Sequence, residues 1–279
     1  MEKYYIEQSD LSKLYYRIYG NGEHTILLLH GLVGGSWLGE EWINAIERSN
    51  VRCVAVERPG YGDSSAVHME SVRDWTPLVQ SLLQKLNVSS ADVIGCSAGA
   101  PYAYATALAA PNKINKVFIL GGVPAVYESK ILHHYRLEDQ EAYYGFIHQT
   151  QGNLQKDYVK QMEAALHQFK DTNISYIINT LREILAQRCF GMAQESRLQI
   201  LPWNLELSQI KAPVYFYHAK EDEMVPYSAA REMIKFLNNC EFHEADTAEI
   251  PSDTSTHIGS ITWSFRHILD TYSNNAVKK

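Results

Sequence analysis

The sequence predicts an α/β protein, with a mostly parallel sheet covered by helices on both faces and one helical insertion. Three observations predict it. Short apolar runs alternate with helix-period segments over residues 13–120 and again from Pro213, the pattern of strands buried on both faces. Turn signals close those runs, at Gly31, at Arg58-Pro59-Gly60 and at Gly121-Gly122. Between Tyr127 and Arg197 the alternation stops, and the sequence is aromatic-rich and helix-like with no clear strand.

Taken in order, Lys13 to Tyr19 alternates in part and reads as a strand, and Thr25 to His30 is a continuous apolar strand. Trp37 to Arg48 has helical character, and Val51 to Glu57 is the next strand. Ser71 and Asp74 have capping-box spacing ahead of Trp75, Leu78, Val79, Leu82, Leu83 and Leu86, which recur at helical period. Ala91 to Cys96 is a short strand, Ala98 to Ala110 an alanine-rich helix and Lys116 to Leu120 a strand again. Within the insertion, Leu154, Tyr158, Met162, Leu166 and Phe169 form one helical stripe. After it come a strand at Val214 to Tyr217, a helix from Tyr227 to Leu237, a strand near Glu241 and a closing helix from Ile258 to Tyr272.

The chain has 279 residues, 46% hydrophobic and 20% charged, which allows one large domain or two small ones. Interrupted alternation favours one domain: a core of residues 1–122 and 208–279, with 123–207 inserted into it. A body of this size can bury a core without a disulfide or metal staple. Twenty-five basic against 32 acidic residues give a net charge of -7, which offers no electrostatic footprint for nucleic acid or an anionic membrane. No apolar run approaches the ~20 residues needed to span a bilayer. The first residues lack the basic and apolar regions of a signal peptide. Cys53, Cys96, Cys189 and Cys240 have no CxxC spacing and read as reduced thiols. A soluble, cytoplasmic protein is expected.

The chemistry is concentrated at Gly95-Cys96-Ser97-Ala98-Gly99, a G-x-S-x-G pattern between an apolar strand and a helix. A serine on a tight strand-to-helix turn exposes its hydroxyl, and glycine two residues to either side removes side chains that would strike the turn. The helix that follows points free N–H groups at the serine, where negative charge develops during acyl transfer. Ser97 is therefore the expected nucleophile.

Four further segments occur in order with this one. They are His30-Gly31-Leu32-Val33-Gly34-Gly35, Arg58-Pro59-Gly60-Tyr61-Gly62-Asp63-Ser64, His218 to Pro226, and Thr256-His257-Ile258. Across nearly its whole length the chain resembles the α/β-hydrolase superfamily, in which such segments are the oxyanion loop, the turn after the fourth strand, the acid loop and the histidine loop. The resemblance implies an eight-stranded, mostly parallel sheet and identifies residues 123–207 with a helical cap over the substrate pocket.

A serine hydroxyl needs a base, and an imidazole held by a buried carboxylate is the best-matched one. The family order of serine, acid, histidine leaves His218, His243, His257 and His267 of eleven histidines. His257, in a polar loop before the last helix, is the expected base; His243 falls in a strand and His267 inside a helix. Thr256 stands where the family often has glycine. Among Glu221, Asp222 and Glu223, Asp222 stands four residues before Pro226 and matches the family's D-x-x-V-P form. Its two neighbours read as solvated loop charges. Asp246 and Asp253 lie too close to His257 in the chain for the usual arrangement. The oxyanion hole implied by the resemblance combines the backbone N–H groups of Leu32 and Ala98, with His30 shaping the loop through backbone hydrogen bonds.

No cofactor or metal is expected. Adjacent His133 and His134 point to different helix faces, and the glycine clusters lack nucleotide-binding patterns. Cys96 reads as a small buried side chain. The expected partner is a small-molecule substrate with an apolar part. The insertion's aromatics (Tyr127, Tyr135, Tyr143, Tyr144, Phe146, Tyr158, Phe169, Tyr176, Phe190) supply candidates to line its pocket, although most should simply pack helices together. The expected activity is ester hydrolysis through an acyl-enzyme. The alternatives are C–C bond or amide hydrolysis (peptidases included) or a cofactor-free peroxidase-like activity on the same residues, and a non-catalytic binding protein that keeps the fold. Haloalkane dehalogenase and epoxide hydrolase chemistry are disfavoured, because those relatives carry an aspartate where Ser97 stands.

Overall fold

The apolar runs pair with one another as strands. The computed structural model describes residues 2–252 and 254–273. In it β1 (Lys3–Glu7), β2 (Lys13–Tyr19), β3 (His24–Leu29), β4 (Val51–Val56), β5 (Ala91–Cys96), β6 (Ile114–Leu120), β7 (Val214–His218) and β8 (Cys240–Glu244) form one eight-stranded sheet. Their order is β1-β2-β4-β3-β5-β6-β7-β8, antiparallel at β1–β2 and β2–β4 and parallel at every later pairing.

Strand side chains alternate between faces, and β3 splits accordingly between two clusters. Leu27 and Leu29 join Trp75, Val79 and Leu82 of helix α2 (Trp75–Lys85) and much of α3 (Ala100–Ala109). Ile26 and Leu28 join Ala45 and Ile46 of α1 (Glu40–Glu47), with Ile261, Phe265 and Ile268 of α10 (Thr256–Ser273). Each such aliphatic side chain contributes ~1.5–3 kcal/mol on full burial, so both faces hold the sheet. A one-residue slip of β3 would exchange the two sets. Helix α9 (Tyr227–Met233) packs Ala229, Ala230 and Met233 into the α2–α3 face.

Between β6 and β7 lie α4 (Ser129–Leu132), α5 (Leu137–His148), α6 (Gln151–Phe169), α7 (Ser175–Ala186) and α8 (Phe190–Ile200), with no strand. This segment packs in two ways. Ala125, Val126, Ile131, Leu132, Leu198 and Ile200 belong to the same cluster as the sheet. Met162, Leu181, Ile184, Cys189 and Met192 form a separate cluster closed by Tyr61 of the core. Of the stripe on α6, Tyr158, Met162, Leu166 and Phe169 pack in this second cluster, and Leu154 is buried as well.

Three elements depart from the sequence reading. Strand β1 carries no clear alternation, because only Ile6 of its five residues is buried; it is an edge strand with charged ends. Helix α1 starts at Glu40 instead of Trp37, whose indole N–H donates to Glu183 of α7 while its ring lies under the Arg17 guanidinium. Helix α10 begins at Thr256, so His257 lies in its first turn and not in a loop ahead of it. Among the described residues no helix is long and apolar enough to cross a membrane.

Candidate active site

Ser97 stands between β5 and α3, in a single 3-10 turn over Ser97–Gly99. Its φ is +49°, a left-handed conformation that non-glycine residues seldom adopt. The neighbouring glycines explain how the turn closes. A Cβ on Gly99 would lie 2.2 Å from the Leu29 carbonyl oxygen, and one on Gly95 2.8 Å from both the Ala103 Cβ and the Gly99 carbonyl oxygen. The Val123 N–H donates to the Ser97 carbonyl at 3.0 Å and pins the turn against the chain leaving β6.

His257 reaches this serine from α10. Its Nε2 lies 3.0 Å from Ser97 Oγ and its Nδ1 2.7 Å from Asp222 Oδ2. An ionised carboxylate only accepts hydrogen bonds, so the proton sits on Nδ1. Nε2 is then left to accept from the serine hydroxyl. The ring is 1% exposed. Gly121, at φ +54°, makes room for it: a Cβ there would stand 3.1 Å from His257 Cε1.

Asp222 sits in the loop after β7. Its Oδ1 accepts the N–H groups of Met224 and Val225 at 2.9 and 2.8 Å. Burial pushes this carboxyl up, but the hydrogen bond and charge of His257, with the Val225 N–H, outweigh it and hold it below its ordinary value. The fully buried His218 closes the same loop, donating from Nε2 to the Val225 carbonyl at 2.9 Å. Burial lowers its pKa, so it stays neutral, and its unpartnered Nδ1 carries no proton to satisfy.

Glu223 is more than a solvated loop charge. Its Oε2 accepts the His257 backbone N–H at 3.3 Å, and its Oε1 accepts from the Ser255 hydroxyl. A carboxylate at the start of α10 satisfies free N–H groups and suits the helix dipole. Spacing along the chain could not reveal this pairing, since 34 residues separate the two. Glu221 accepts from the Thr247 hydroxyl, on the surface.

Leu32 and Ala98 come together in a small apolar cluster with Val123 and Val225. The loop that carries Leu32 passes close to the serine, since a Cβ on Gly31 would stand 3.4 Å from Ser97 Cβ. His30 shapes this loop as expected, with Nδ1 donating to the Gly31 carbonyl at 2.7 Å and Nε2 accepting the Arg58 N–H. Burial, and then the Arg58 charge, hold its pKa well below the usual imidazole value, so the ring is neutral. The Tyr61 hydroxyl donates to the Leu32 carbonyl at 3.0 Å.

Other candidates lie elsewhere. His243 stacks on Tyr217 and His267 on Trp263. Asp246 accepts the Ala248 N–H, and Asp253 lies outside the described residues. The Cys96 thiol is pushed up to about 12 by burial and packs in the α1–α10 face of the core. His133 and His134 are exposed, and among the described residues no group of three His, Cys, Asp or Glu is placed to hold a metal. Of the insertion's aromatics, Tyr127, Tyr135, Tyr143 and Phe146 pack into the main core and Tyr158 and Phe169 against Met162, whereas Tyr144 and Tyr176 are exposed. Surface hollows beside Gln80 and Lys113, and beside His68 and Arg197, include none of Ser97, Asp222 and His257.

A family model described as alpha/beta hydrolase fold matches residues 24–255. A 2-hydroxy-6-oxononadienedioate/2-hydroxy-6-oxononatrienedioate hydrolase of Paraburkholderia phymatum is 24% identical over 261 residues, covering 83% of this chain and 82% of its own. Among solved structures, an esterase from Exiguobacterium antarcticum superposes with a TM-score of 0.70 at 16% identity, over 97% of this chain and 98% of its own. A bromoperoxidase from Bacillus anthracis superposes with a TM-score of 0.66 at 15% identity, over 98% and 100%. At such identities the structural likeness concerns the fold alone.

Proposed function

The chain belongs to the alpha/beta hydrolase fold family and is a hydrolase of that superfamily; from that premise we propose that it is a serine hydrolase cleaving small ester-type substrates through an acyl-enzyme. The observation that carries this reading is the continuous hydrogen-bonded chain Ser97 Oγ–His257 Nε2, His257 Nδ1–Asp222 Oδ2, at 3.0 and 2.7 Å. His257 takes the Ser97 proton as Oγ attacks the ester carbonyl. The oxyanion forms against the N–H groups of Ala98 and Leu32. His257 returns the proton to the departing alcohol, and a water activated by the same imidazole releases the acid. Asp222 stays ionised throughout and holds the ring in the tautomer that accepts.

Residues 123–207 act as a cap whose outer helices shape the acyl pocket. Leu32, Val123 and Val225 beside the serine suit an apolar group. Four free cysteines, three of them buried, fit a reducing, cytoplasmic setting.

A second reading, C–C bond hydrolysis with the same residues, is favoured by the Paraburkholderia phymatum relative, whose name specifies a dienedioate. Such a dianion calls for cationic partners. Here Arg58, which donates to the His30 and Gly31 carbonyls of the loop beside the serine, is already engaged by Glu195. That engagement supports the ester reading. The two part in one assay, short p-nitrophenyl esters against a 2-hydroxy-6-oxo-dienedioate. Ester turnover well above dienedioate cleavage is expected; the reverse order would replace the ester reading with the second.

A further inference from the structure

Arg58 and Glu195 form a buried ion pair that the proposed reaction leaves unused. Arg58 follows β4 and is 0% exposed; Glu195, on α8, is 2% exposed. Burying two charges is costly, and an apolar pair of similar volume is often as stable. Stability alone is thus a weak reason for the pair, and its geometry supplies a better one.

Four of the five N–H groups of the Arg58 guanidinium donate to Glu195, His30 and Gly31. Nε and Nη2 donate to the two Glu195 oxygens, Nη2–Oε2 at 2.8 Å; Nη1 donates to the His30 carbonyl, and Nη2 also to the Gly31 carbonyl at 3.3 Å. The rings of Tyr61 and Tyr102 lie 5.4 and 4.8 Å from the guanidinium carbon. The Gly31 carbonyl and the Leu32 N–H belong to one planar peptide unit and point in opposite directions. Two donors, Arg58 Nη2 and His30 Nδ1, hold that carbonyl. Whatever fixes the carbonyl therefore aims the N–H.

Glu195 makes this aim depend on α8. The turn after β4 and the start of α8 are in backbone contact: the Gly191 N–H donates to the Gly60 carbonyl, and a Cβ on Gly60 would lie 2.4 Å from Phe190. We propose that Arg58 and Glu195 are positioning residues, holding the Gly31–Leu32 peptide so that its N–H faces the oxyanion and tying that orientation to the seating of helix α8. The inference rests on Ser97 as nucleophile and the Leu32 N–H as oxyanion donor.

The test compares a short p-nitrophenyl ester with its thionoester in the wild type, Ser97→Ala, Arg58→Lys, Glu195→Gln and the double variant Arg58→Met/Glu195→Leu. Sulfur accepts hydrogen bonds weakly, so the thionoester gains little from the oxyanion hole. Removing one oxyanion donor lowers kcat ~100- to 1,000-fold; misaiming it should lower kcat roughly 10- to 100-fold with KM little changed. The oxygen-to-sulfur rate ratio should fall by a similar factor. A pair that served packing alone would slow both esters alike and leave the ratio intact. The double variant should melt near the wild type and still show the reduced ratio. Should the double variant not accumulate as folded protein, Glu195→Gln, which keeps the side chain's shape, decides by the same ratio. Wild-type kcat and ratio in either variant overturns the inference. Turnover surviving in Ser97→Ala is a distinct result: it refutes the serine reading, and this inference with it.

Discussion

Asp222 ties orientation to charge at the scale of single residues. In the folded protein its carboxyl lies below its ordinary value, while in the unfolded chain it titrates at ~3.9. A depressed folded value means that ionised Asp222 stabilises the fold above the unfolded value, and that this contribution is lost as pH falls through the folded one. The stability gap between wild type and Asp222→Asn should thus be constant from neutral pH down to about pH 4–5 and close below that range. Urea unfolding at a series of pH values measures it; a gap that widened in acid would contradict the assignment. At neutral pH the same variant should lower kcat on the order of 1,000- to 10,000-fold, because an amide no longer enforces the Nδ1–H tautomer. Ser97, Asp222 and His257 were legible because each sits in a short local motif. Glu223, His218 and Gly121 were not, because their importance lies in what they meet: the His257 N–H, the Val225 carbonyl and the His257 ring.

Among the elements, α8 shows why composition misleads about burial. Its sequence, Phe-Gly-Met-Ala-Gln-Glu-Ser-Arg-Leu-Gln-Ile, has no apolar stripe, yet Gln194, Glu195, Ser196 and Gln199 are all buried. Most of the polar groups are matched: Gln194 bonds the backbone of Val67 and Met69, Ser196 the Tyr158 hydroxyl, and Glu195 the Arg58 guanidinium. A polar side chain enters a core when a partner waits there, and that partner is far away in sequence. The long helical run from 127 to 197 was readable; which of its helices belong to the core was not. The division bears on engineering. Deleting all of 123–207 would strip Ala125, Ile131, Leu132 and Leu198 from the main core. Exchanging α6 and α7 alone, which pack in the separate cluster, with Glu183 kept, should leave the folded core and Ser97 labelling intact while changing acyl-chain preference. A panel of p-nitrophenyl esters of increasing length reads this out, and an unchanged preference would place the pocket within the core.

For the molecule as a whole, the site exists only once the sheet has formed. Ser97 follows β5, Asp222 follows β7 and His257 follows β8, so the three come from the same ends of parallel strands, the usual place for a site in such sheets. Separations of 160 residues from Ser97 to His257 and 35 from Asp222 to His257 are spanned by that topology. Apolar runs and turn signals made the central strands legible, whereas the exposed edge strand β1 carried too little alternation to be seen. The most direct measurement of the central claim is the intact mass of enzyme quenched during turnover of a slowly deacylating p-nitrophenyl ester, with the modified peptide sequenced. A single acyl adduct on Ser97 is expected, formed in step with a stoichiometric burst of p-nitrophenol and absent from Ser97→Ala of unchanged Tm. Turnover with no adduct at Ser97, or turnover persisting in that variant, would contradict it.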